Sequence, residues 1–116
     1  DEVATVLHRL EGAVLAAVDE LVPAIHAGRA APRPQDATPP TYCAARLPDD
    51  GQIDFGWAAR RCHDFVRAQS RPYPGAFTTL GGERLTIWRA RALDVTYYGR
   101  PGQVVQVAED GVTVVC

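Results

Sequence analysis

The apolar residues of the first 27 positions recur at spacings of three and four. This stripe is formed by Val3, Leu7, Leu10, Val14, Val18, Leu21 and Ile25. Such spacing places side chains on one face of a helix, so the pattern predicts a helix over residues 2–27. Pro23 removes a backbone donor and predicts a kink or a break near Glu20, and Gly28 is the predicted stop. A lone helix with such a stripe needs a partner surface.

Residues 29–41 carry four prolines in thirteen positions. Prolines hold the backbone extended and remove hydrogen-bond donors, so this stretch is predicted to be a linker that runs between two packed units. The spacing of the prolines is irregular, which disfavours a recognition peptide for a proline-binding domain.

The pattern after the linker predicts a short strand over residues 42–47 and a Pro-Gly turn over residues 48–51. A second helix is predicted over residues 57–69, with Asp54 as its cap. Its predicted apolar face comprises Ala58, Cys62, Phe65, Val66 and Gln69. The helix must end before the rigid bend formed by the prolines and glycine of the Pro-Tyr-Pro-Gly sequence, namely Pro72, Pro74 and Gly75.

The remainder of the chain alternates apolar and polar residues and is predicted to be β-structure. The predicted strands cover residues 76–80, 84–92, 103–107 and 112–116. Two dipeptides, Gly81-Gly82 and Asp110-Gly111, predict tight hairpin connections. An unpaired apolar last strand is an aggregation hazard, so we expect this domain to be truncated at its end. The start without methionine leads us to expect a cut there too.

Composition narrows the class of protein. The chain is 47% hydrophobic with a net charge of −2, as in ordinary soluble domains, and all its basic residues are arginine. The charge lacks the positive excess of an obvious nucleic-acid binder. No apolar run approaches the ~20 residues that cross a bilayer. Three well-separated cysteines and the absence of an export signal favour reduced thiols and a cytoplasmic location.

The residue types that bind metals do not cluster in the sequence. Cys62 and His63 are neighbours on the predicted helix and point about 100° apart, so they cannot easily share one ion. Asp49, Asp50 and Asp54 lack the alternating oxygen ligands of a calcium loop. We therefore expect no metal site in this chain.

Three groups of strings recur in a recognisable order. They are Pro34-Gln35-Asp36 with Thr41-Tyr42, the DGQIDF string at residues 50–55, and the RAQSRPYPGAFT string at residues 67–78, which is followed by Ile87-Trp88-Arg89-Ala90 and Arg100-Pro101-Gly102. Together they resemble the C-terminal part of the methionyl-tRNA formyltransferase family. Relatives in that family formylate amino sugars, hydroxyornithine or peptide-synthetase substrates.

The resemblance implies an α+β chain in three parts. Residues 1–28 would be the last helix of a Rossmann-like catalytic domain and residues 29–41 its Pro-rich linker. Residues 42–116 would be the C-terminal domain, a helix plus an OB-like open β-barrel. The implied activity is formyl transfer from 10-formyltetrahydrofolate to an amine. The Asn-His-Asp set for that chemistry belongs to the family's catalytic domain, which binds the cofactor and is the partner of this chain. The resemblance therefore implies no catalytic residue within residues 1–116.

The same resemblance makes Arg67, Arg71, Tyr73 and Arg89 candidates for contact with the acceptor, because the family's C-terminal domain packs beside the catalytic mouth. Arginine also suits recognition of phosphate or carboxylate. A structural alternative has Arg67 paired with an aspartate and Tyr73 covering the end of the barrel. The bend would then be a joint between domains.

Three functions are therefore open. The chain could come from a formyltransferase for a small or carrier-bound amine, or from one that holds tRNA with this domain. It could instead be a stand-alone OB-like module for single-stranded nucleic acid. That module would need exposed aromatic residues for stacking, whereas Trp88 in an alternating strand is more simply interpreted as core.

Overall fold

A computed structural model describes residues 2–116. Its elements are α1 (Val3–His26), a short 3-10 helix (Pro48–Gly51), α2 (Ala59–Gln69), β1 (Ala76–Leu80), β2 (Glu83–Ile87), β3 (Val104–Ala108) and β4 (Gly111–Val114). The chain is thus α+β. Thr5–Arg46 form one compact unit, and Leu47–Cys116 form most of the other. Within the described residues, no helix has the length and apolarity needed to cross a membrane.

Helix α1 runs through Pro23 and ends at His26. The helix is therefore not broken near Glu20, and the kink expected as the alternative stays a prediction. A proline removes one intrahelical hydrogen bond, but the carbonyl of Pro23 still accepts a hydrogen bond from the backbone N–H of Ala27 at 3.0 Å. One missing bond in 24 residues leaves the rest of the helix intact.

The end of α1 is a Schellman motif. Gly28 has a φ of +66°, a conformation that glycine adopts without a Cβ penalty. Its N–H donates to the carbonyl of Ile25 at 3.0 Å, and the N–H of Arg29 donates to that of Ala24 at 2.8 Å. These bonds satisfy carbonyls that the helix leaves unpaired. The prediction that Gly28 stops the helix is confirmed.

The apolar stripe of α1 is exposed from Leu10 to Ile25, while Val3 and Leu7 at its start are half-buried. No residue of the helix is buried, and the side chains of Leu10 and Ile25 are 57% and 58% exposed. This exposure agrees with the need for a partner surface that the spacing of the stripe indicates.

The predicted strand over residues 42–47 is not formed. Residues 42–46 are exposed and irregular, and Tyr42 is 87% exposed. Leu47 is instead the N-cap residue of the 3-10 helix. Its backbone N–H donates to Asp50 Oδ2 at 2.7 Å, and its carbonyl accepts a hydrogen bond from the N–H of Asp50 at 3.0 Å. Local turn bonds thus take the backbone groups that a strand would have needed.

Strands β1 and β2 pair antiparallel from Ala76 opposite Ile87 to Leu80 opposite Glu83. The predicted hairpin connection is confirmed, since Gly81 and Gly82 have φ values of +61° and +87°. Positive φ at both positions matches the right-handed twist of the strands.

Strand β2 ends at Ile87 rather than continuing to residue 92 as predicted. The reason lies in its partner. Ala76 pairs with Ile87, and the residue before Ala76 is Gly75, whose φ of +89° takes the chain out of the sheet. Residues 88–92 therefore meet no further strand residue of β1.

Strands β3 and β4 form a second antiparallel hairpin. Its connection lies one residue earlier than predicted, because Ala108 pairs with Gly111 and leaves Glu109 and Asp110 as the turn. The two hairpins are separate two-stranded sheets. Among residues 2–116 the strands do not close into a barrel, so the OB-like barrel stays a prediction.

Helix α2 packs its apolar face on the first hairpin. The core consists of Ile53, Cys62, Val66 and Ala76, flanked by Phe55, Trp57, Phe65 and Ile87. The backbone N–H of Ile53 donates to the carbonyl of Phe77 at 2.8 Å, which ties the segment before the helix to β1. The predicted burial of Cys62 and Val66 is confirmed.

Asp54 does not cap α2. The N-cap is Ala58, whose side chain makes no capping bond. Asp54 Oδ1 accepts a hydrogen bond from the N–H of Gly56 at 2.8 Å. The aspartate thus closes a turn two residues ahead, a local bond that competes with capping.

The bend after α2 is held by backbone bonds and close contact. The N–H of Tyr73 donates to the backbone carbonyl of Ser70 at 3.1 Å, and the N–H of Gly75 donates to the backbone carbonyl of Gln69 at 3.0 Å. A Cβ on Gly75 would lie 2.7 Å from Thr86 Cγ2 and 3.0 Å from the ring of Trp88. Only glycine allows this approach together with a φ of +89°.

We expect Gly75→Ala to lower the free energy of unfolding by about 2–5 kcal/mol, since backbone strain adds to overpacking. Gly82→Ala is the matched control, because Gly82 has a φ of +87° and no atom within 4 Å of its added Cβ. It should cost only about 1–2 kcal/mol. Urea denaturation of both variants measures the difference, and equal losses would contradict the close contact at Gly75.

Candidate functional site

The four candidate residues lie in the larger unit, which is formed mainly by Leu47–Cys116, on two segments that the β1–β2 hairpin separates in the chain. Arg67 is in the last turn of α2, Arg71 and Tyr73 are in the bend, and Arg89 follows the end of β2. The structure brings the bend against the residue that precedes Arg89, which is Trp88.

Trp88 is fixed under the bend by two contacts. Its backbone carbonyl accepts a hydrogen bond from Ser70 Oγ at 3.2 Å, and Ser70 is only 6% exposed. Its indole ring lies where a side chain on Gly75 would have been. Buried hydroxyl groups are normally hydrogen-bonded, and this bond ties the backbone of Trp88 to the end of α2. Together with the contact at Gly75, it sets the position of the indole.

The guanidinium carbon of Arg71 lies 4.9 Å from the centroid of the Trp88 ring. This distance is within the range of a cation–π interaction. Arg71 is exposed, and so is Trp88, at 37%. The pair therefore presents a positive charge and an aromatic surface side by side, and a guanidinium can bind a carboxylate or phosphate through two N–H groups.

The interpretation of Trp88 as a core residue is wrong. Its strand ends one residue earlier, so the alternation of inward and outward side chains does not extend to it. The ring belongs to the surface around the bend instead. Gly75 was the sequence feature that could have indicated the position of Trp88, because a residue without a side chain leaves room for a large ring.

Tyr73 and Arg89 are exposed residues beside this pair in the sequence. Tyr73 is 46% exposed, and its described hydrogen bond is made by its backbone. Within residues 2–116 no described hydrogen bond or ion pair joins the side chains of Tyr73 and Arg89 to Arg71. The structure thus brings Arg71 into contact with Trp88, whereas Tyr73 and Arg89 are neighbours of this pair in the sequence.

Arg67 is engaged on its own helix. Its Nε donates to Asp64 Oδ1 at 2.9 Å, and the same carboxylate accepts from His63 Nδ1 at 3.2 Å and lies 3.5 Å from Arg60 Nε. The aspartate partner expected for Arg67 is therefore present. Burial alone would raise the pKa of Asp64, but the hydrogen bonds from Arg67 and His63 and the charge of Arg60 hold it below its ordinary value.

Two arginine–aromatic pairs were missed from the sequence. The guanidinium of Arg61 lies 4.3 Å from the Trp57 ring centroid, and that of Arg84 lies 3.6 Å from the Phe77 ring centroid. A spacing of four residues was a usable signal for the first pair. The second pair follows from strand register, because Arg84 is opposite Thr79, two residues along the same face from Phe77.

Arg84 also links the first hairpin to the 3-10 helix. Its guanidinium donates to the carbonyl of Pro48 at 3.4 Å and lies 3.8 Å from Asp49 Oδ1. These contacts give Arg84 a structural role, which distinguishes it from Arg71.

Among residues 2–116, no three His, Cys, Asp or Glu side chains are grouped so that they could hold a metal ion. A cavity of about 260 Å³ is lined by Arg100, Pro101, Gly102 and Gln103. None of the four candidates lines that cavity.

One comparison with known proteins bears on this architecture. Residues 47–116 match the family described as the formyl transferase C-terminal domain. The match covers more than half of the chain and includes α2, the bend and both hairpins. It begins at Leu47, where the larger part of the second compact unit also begins.

The lowered pKa of Asp64 leads to a pH prediction. Since its folded pKa is below its ordinary value of 3.8, Asp64 contributes stability above about pH 4 that is lost as the pH falls through the folded pKa. Asp64→Asn should therefore lower the thermal midpoint at about pH 6, and the difference from wild type should shrink as the pH falls below about 4, through the lowered pKa of the folded state. The exposed carboxylate variant Asp94→Asn is the control, and a difference that is independent of pH would contradict the ion-pair assignment.

Proposed function

The chain belongs to the formyl transferase C-terminal domain family, and from that membership we propose that it is the accessory part of an enzyme that transfers a formyl group from 10-formyltetrahydrofolate to the amine of a small or carrier-bound acceptor. The observation that carries this proposal is the family match over residues 47–116. The domain's contribution is to position the acceptor and the catalytic domain, while the chemistry takes place elsewhere in the enzyme.

The cavity described at Arg100–Gln103 is small for the formyl donor. The cavity formed by Arg100–Gln103 has a volume of about 260 Å³, below the roughly 300–1,000 Å³ of typical small-molecule sites. None of its four residues is buried. In this proposal 10-formyltetrahydrofolate therefore binds to the catalytic domain, together with the Asn-His-Asp set that the family resemblance implies.

The acceptor contacts proposed here centre on Arg71. Its guanidinium is exposed and lies on the Trp88 ring, which limits its freedom before a ligand binds. Holding a side chain in place reduces the entropy lost on binding. Tyr73 and Arg89 extend the same surface, while Arg67 supports it indirectly through its bond to Asp64.

We also propose that the bend is a joint that positions this domain against the catalytic domain. Pro72, Pro74 and Gly75 restrict the backbone on both sides of Tyr73, and Gly75 packs closely on Thr86 and Trp88. A rigid connection between α2 and β1 keeps the arginines in a constant position. In the same proposal, the exposed stripe of α1 packs on the catalytic domain.

The small excess of positive charge favours a small acceptor over tRNA. From Tyr42 onwards the chain has nine arginines and eight acidic residues, a net charge of +1. Asp64 takes up part of the charge of Arg60 and Arg67. Binding to a tRNA stem depends on several phosphate contacts. A domain that holds methionyl-tRNA is the alternative, in which Arg29 and Arg33 of the linker would add phosphate contacts.

We expect the 116-residue chain to show no formyl transfer by itself and to support transfer when joined to a catalytic domain that carries the Asn-His-Asp set. The assay follows the release of tetrahydrofolate with small amines, amino sugars and methionyl-tRNA as acceptors. Turnover by the isolated chain would overturn the proposal. Turnover by the joined enzyme with methionyl-tRNA alone would establish the tRNA alternative.

In the joined enzyme, Arg71→Ala should raise KM for the acceptor about tenfold, a loss of ~1.4 kcal/mol. The KM for the formyl donor and kcat should change less than about twofold, because the contact is made in both the ground and the transition state. Arg91→Ala removes another exposed arginine and serves as the control. An unchanged acceptor KM in the Arg71 variant would exclude this residue as an acceptor contact.

A further inference from the structure

A buried hydroxyl joins the two segments that carry the proposed acceptor contact. Ser70 follows the last turn of α2 and is 6% exposed. Its Oγ donates to the backbone carbonyl of Trp88 at 3.2 Å, across 18 positions of the chain. The residue after Ser70 is Arg71, whose guanidinium carbon lies 4.9 Å from the centroid of the Trp88 ring. One hydrogen bond therefore links the backbone that carries the guanidinium to the backbone that carries the ring.

Trp88 lies just beyond the ladder that holds the rest of its hairpin. The last pair of β1 and β2 joins Ala76 and Ile87, so the pairing stops one residue before the indole. A Cβ added to Gly75 would lie 3.0 Å from the ring. That close approach limits the ring on one side but does not attach its backbone. The hydroxyl of Ser70 makes this attachment.

The backbone of Ser70 is itself held in the bend. Its carbonyl accepts a hydrogen bond from the N–H of Tyr73 at 3.1 Å, and its φ of −65° and ψ of 178° are those of extended backbone. The carbonyl of Ser70 thus holds the bend around Arg71, while its side chain holds Trp88. Loss of the hydroxyl removes only the second of these contacts, so we expect its effect to be confined to the Trp88 side.

We propose that Ser70 is a positioning residue for the amine acceptor. By holding the Trp88 backbone, its hydroxyl keeps the indole beside the guanidinium of Arg71, and so keeps that guanidinium in place for an anionic or polar group of the acceptor. The inference rests on the proposed function, because it concerns the acceptor contact of Arg71. Ser70 is buried and does not touch the acceptor itself.

The size of the effect follows from the freedom of the arginine side chain. An arginine on an exposed bend samples many rotamers, and fixing such a side chain on binding lowers affinity. The indole restricts these rotamers beforehand through the cation–π attraction. Without the Ser70 hydroxyl, the ring is held less firmly and Arg71 regains part of its freedom. We expect the KM for the acceptor to rise about threefold, less than on removal of Arg71 itself.

The first measurement needs no acceptor. In NMR spectra of the 116-residue chain, the ring current of Trp88 should shift the Hδ and Hε resonances of Arg71 upfield, and Trp88→Leu should abolish this shift. Ser70→Ala should lose most of it. Ser70→Thr should keep it, because threonine retains the hydroxyl and suits extended backbone. An unchanged Arg71 shift in Ser70→Ala would overturn the proposal, whatever the acceptor is.

The second measurement uses the joined enzyme, with whichever of the small amines, amino sugars or methionyl-tRNA it turns over. Ser70→Ala should raise the acceptor KM about threefold and leave kcat and the donor KM within about twofold. Ser70→Thr should restore the acceptor KM. Val66→Ala is the matched control, because it shortens a side chain of the same helix that is 2% exposed. It should lower the thermal midpoint as well, but leave the acceptor KM unchanged.

The double variant separates this inference from the proposed function. If Ser70 acts through Arg71, Ser70→Ala combined with Arg71→Ala should have the same acceptor KM as Arg71→Ala alone. A further rise of about threefold in the double variant would show that Ser70 acts independently of Arg71 and would overturn the inference. A wild-type acceptor KM in Ser70→Ala, with a raised one in Arg71→Ala, would also overturn it and leave the proposed function standing. An unchanged acceptor KM in Arg71→Ala would instead refute the acceptor contact, and the positioning role with it, even where the NMR shift depends on Ser70.

Discussion

The close approach of the backbone at Gly75 is the contact on which the rest of the larger unit depends. Helix α2 ends at Gln69, the chain reverses through the bend to Gly75, whose φ is +89°, and β1 begins one residue later. A Cβ added to Gly51 would lie only 2.9 Å from the carbonyl oxygen of Gly75. Two glycines therefore bring the 3-10 helix, the bend and the end of β2 together. A side chain at either position would clash with the neighbouring segment and force the backbone to shift.

The same approach creates the surface that we propose for the acceptor. Because Gly75 has no side chain, the Trp88 ring lies against the bend, and Ser70 fixes the backbone of that residue through its hydroxyl. Arg71 is carried on the bend and lies on the ring. Its position is thus a consequence of backbone geometry. By contrast, Arg67 is held by an aspartate three residues away on its own helix.

Local signals predicted the features that depend on neighbouring residues in the chain. The extent of α1, its stop at Gly28, the buried face of α2 and the Gly81-Gly82 hairpin all follow from spacing or from glycine conformation. Strands were predicted less well, because a strand exists only where a partner is available. Residues 42–47 and 88–92 have strand-like composition but no partner. Of the candidate site, the Arg67 pairing was predictable, whereas the contact between Arg71 and Trp88 joins residues 17 positions apart.

Charge distribution connects the fold to the choice of acceptor. Several arginines of the larger unit are already occupied within it: Asp64 lies near Arg60 and Arg67, and Asp49 lies near Arg84. Neutralised charges attract an extended polyanion weakly, because affinity for nucleic acid grows with the number of phosphates that are contacted. An exposed guanidinium on an aromatic ring can still bind one carboxylate or phosphate with defined geometry. We therefore infer that this domain recognises a single anionic or polar group on its acceptor, and that α1, with its exposed stripe, contributes through packing on the catalytic domain.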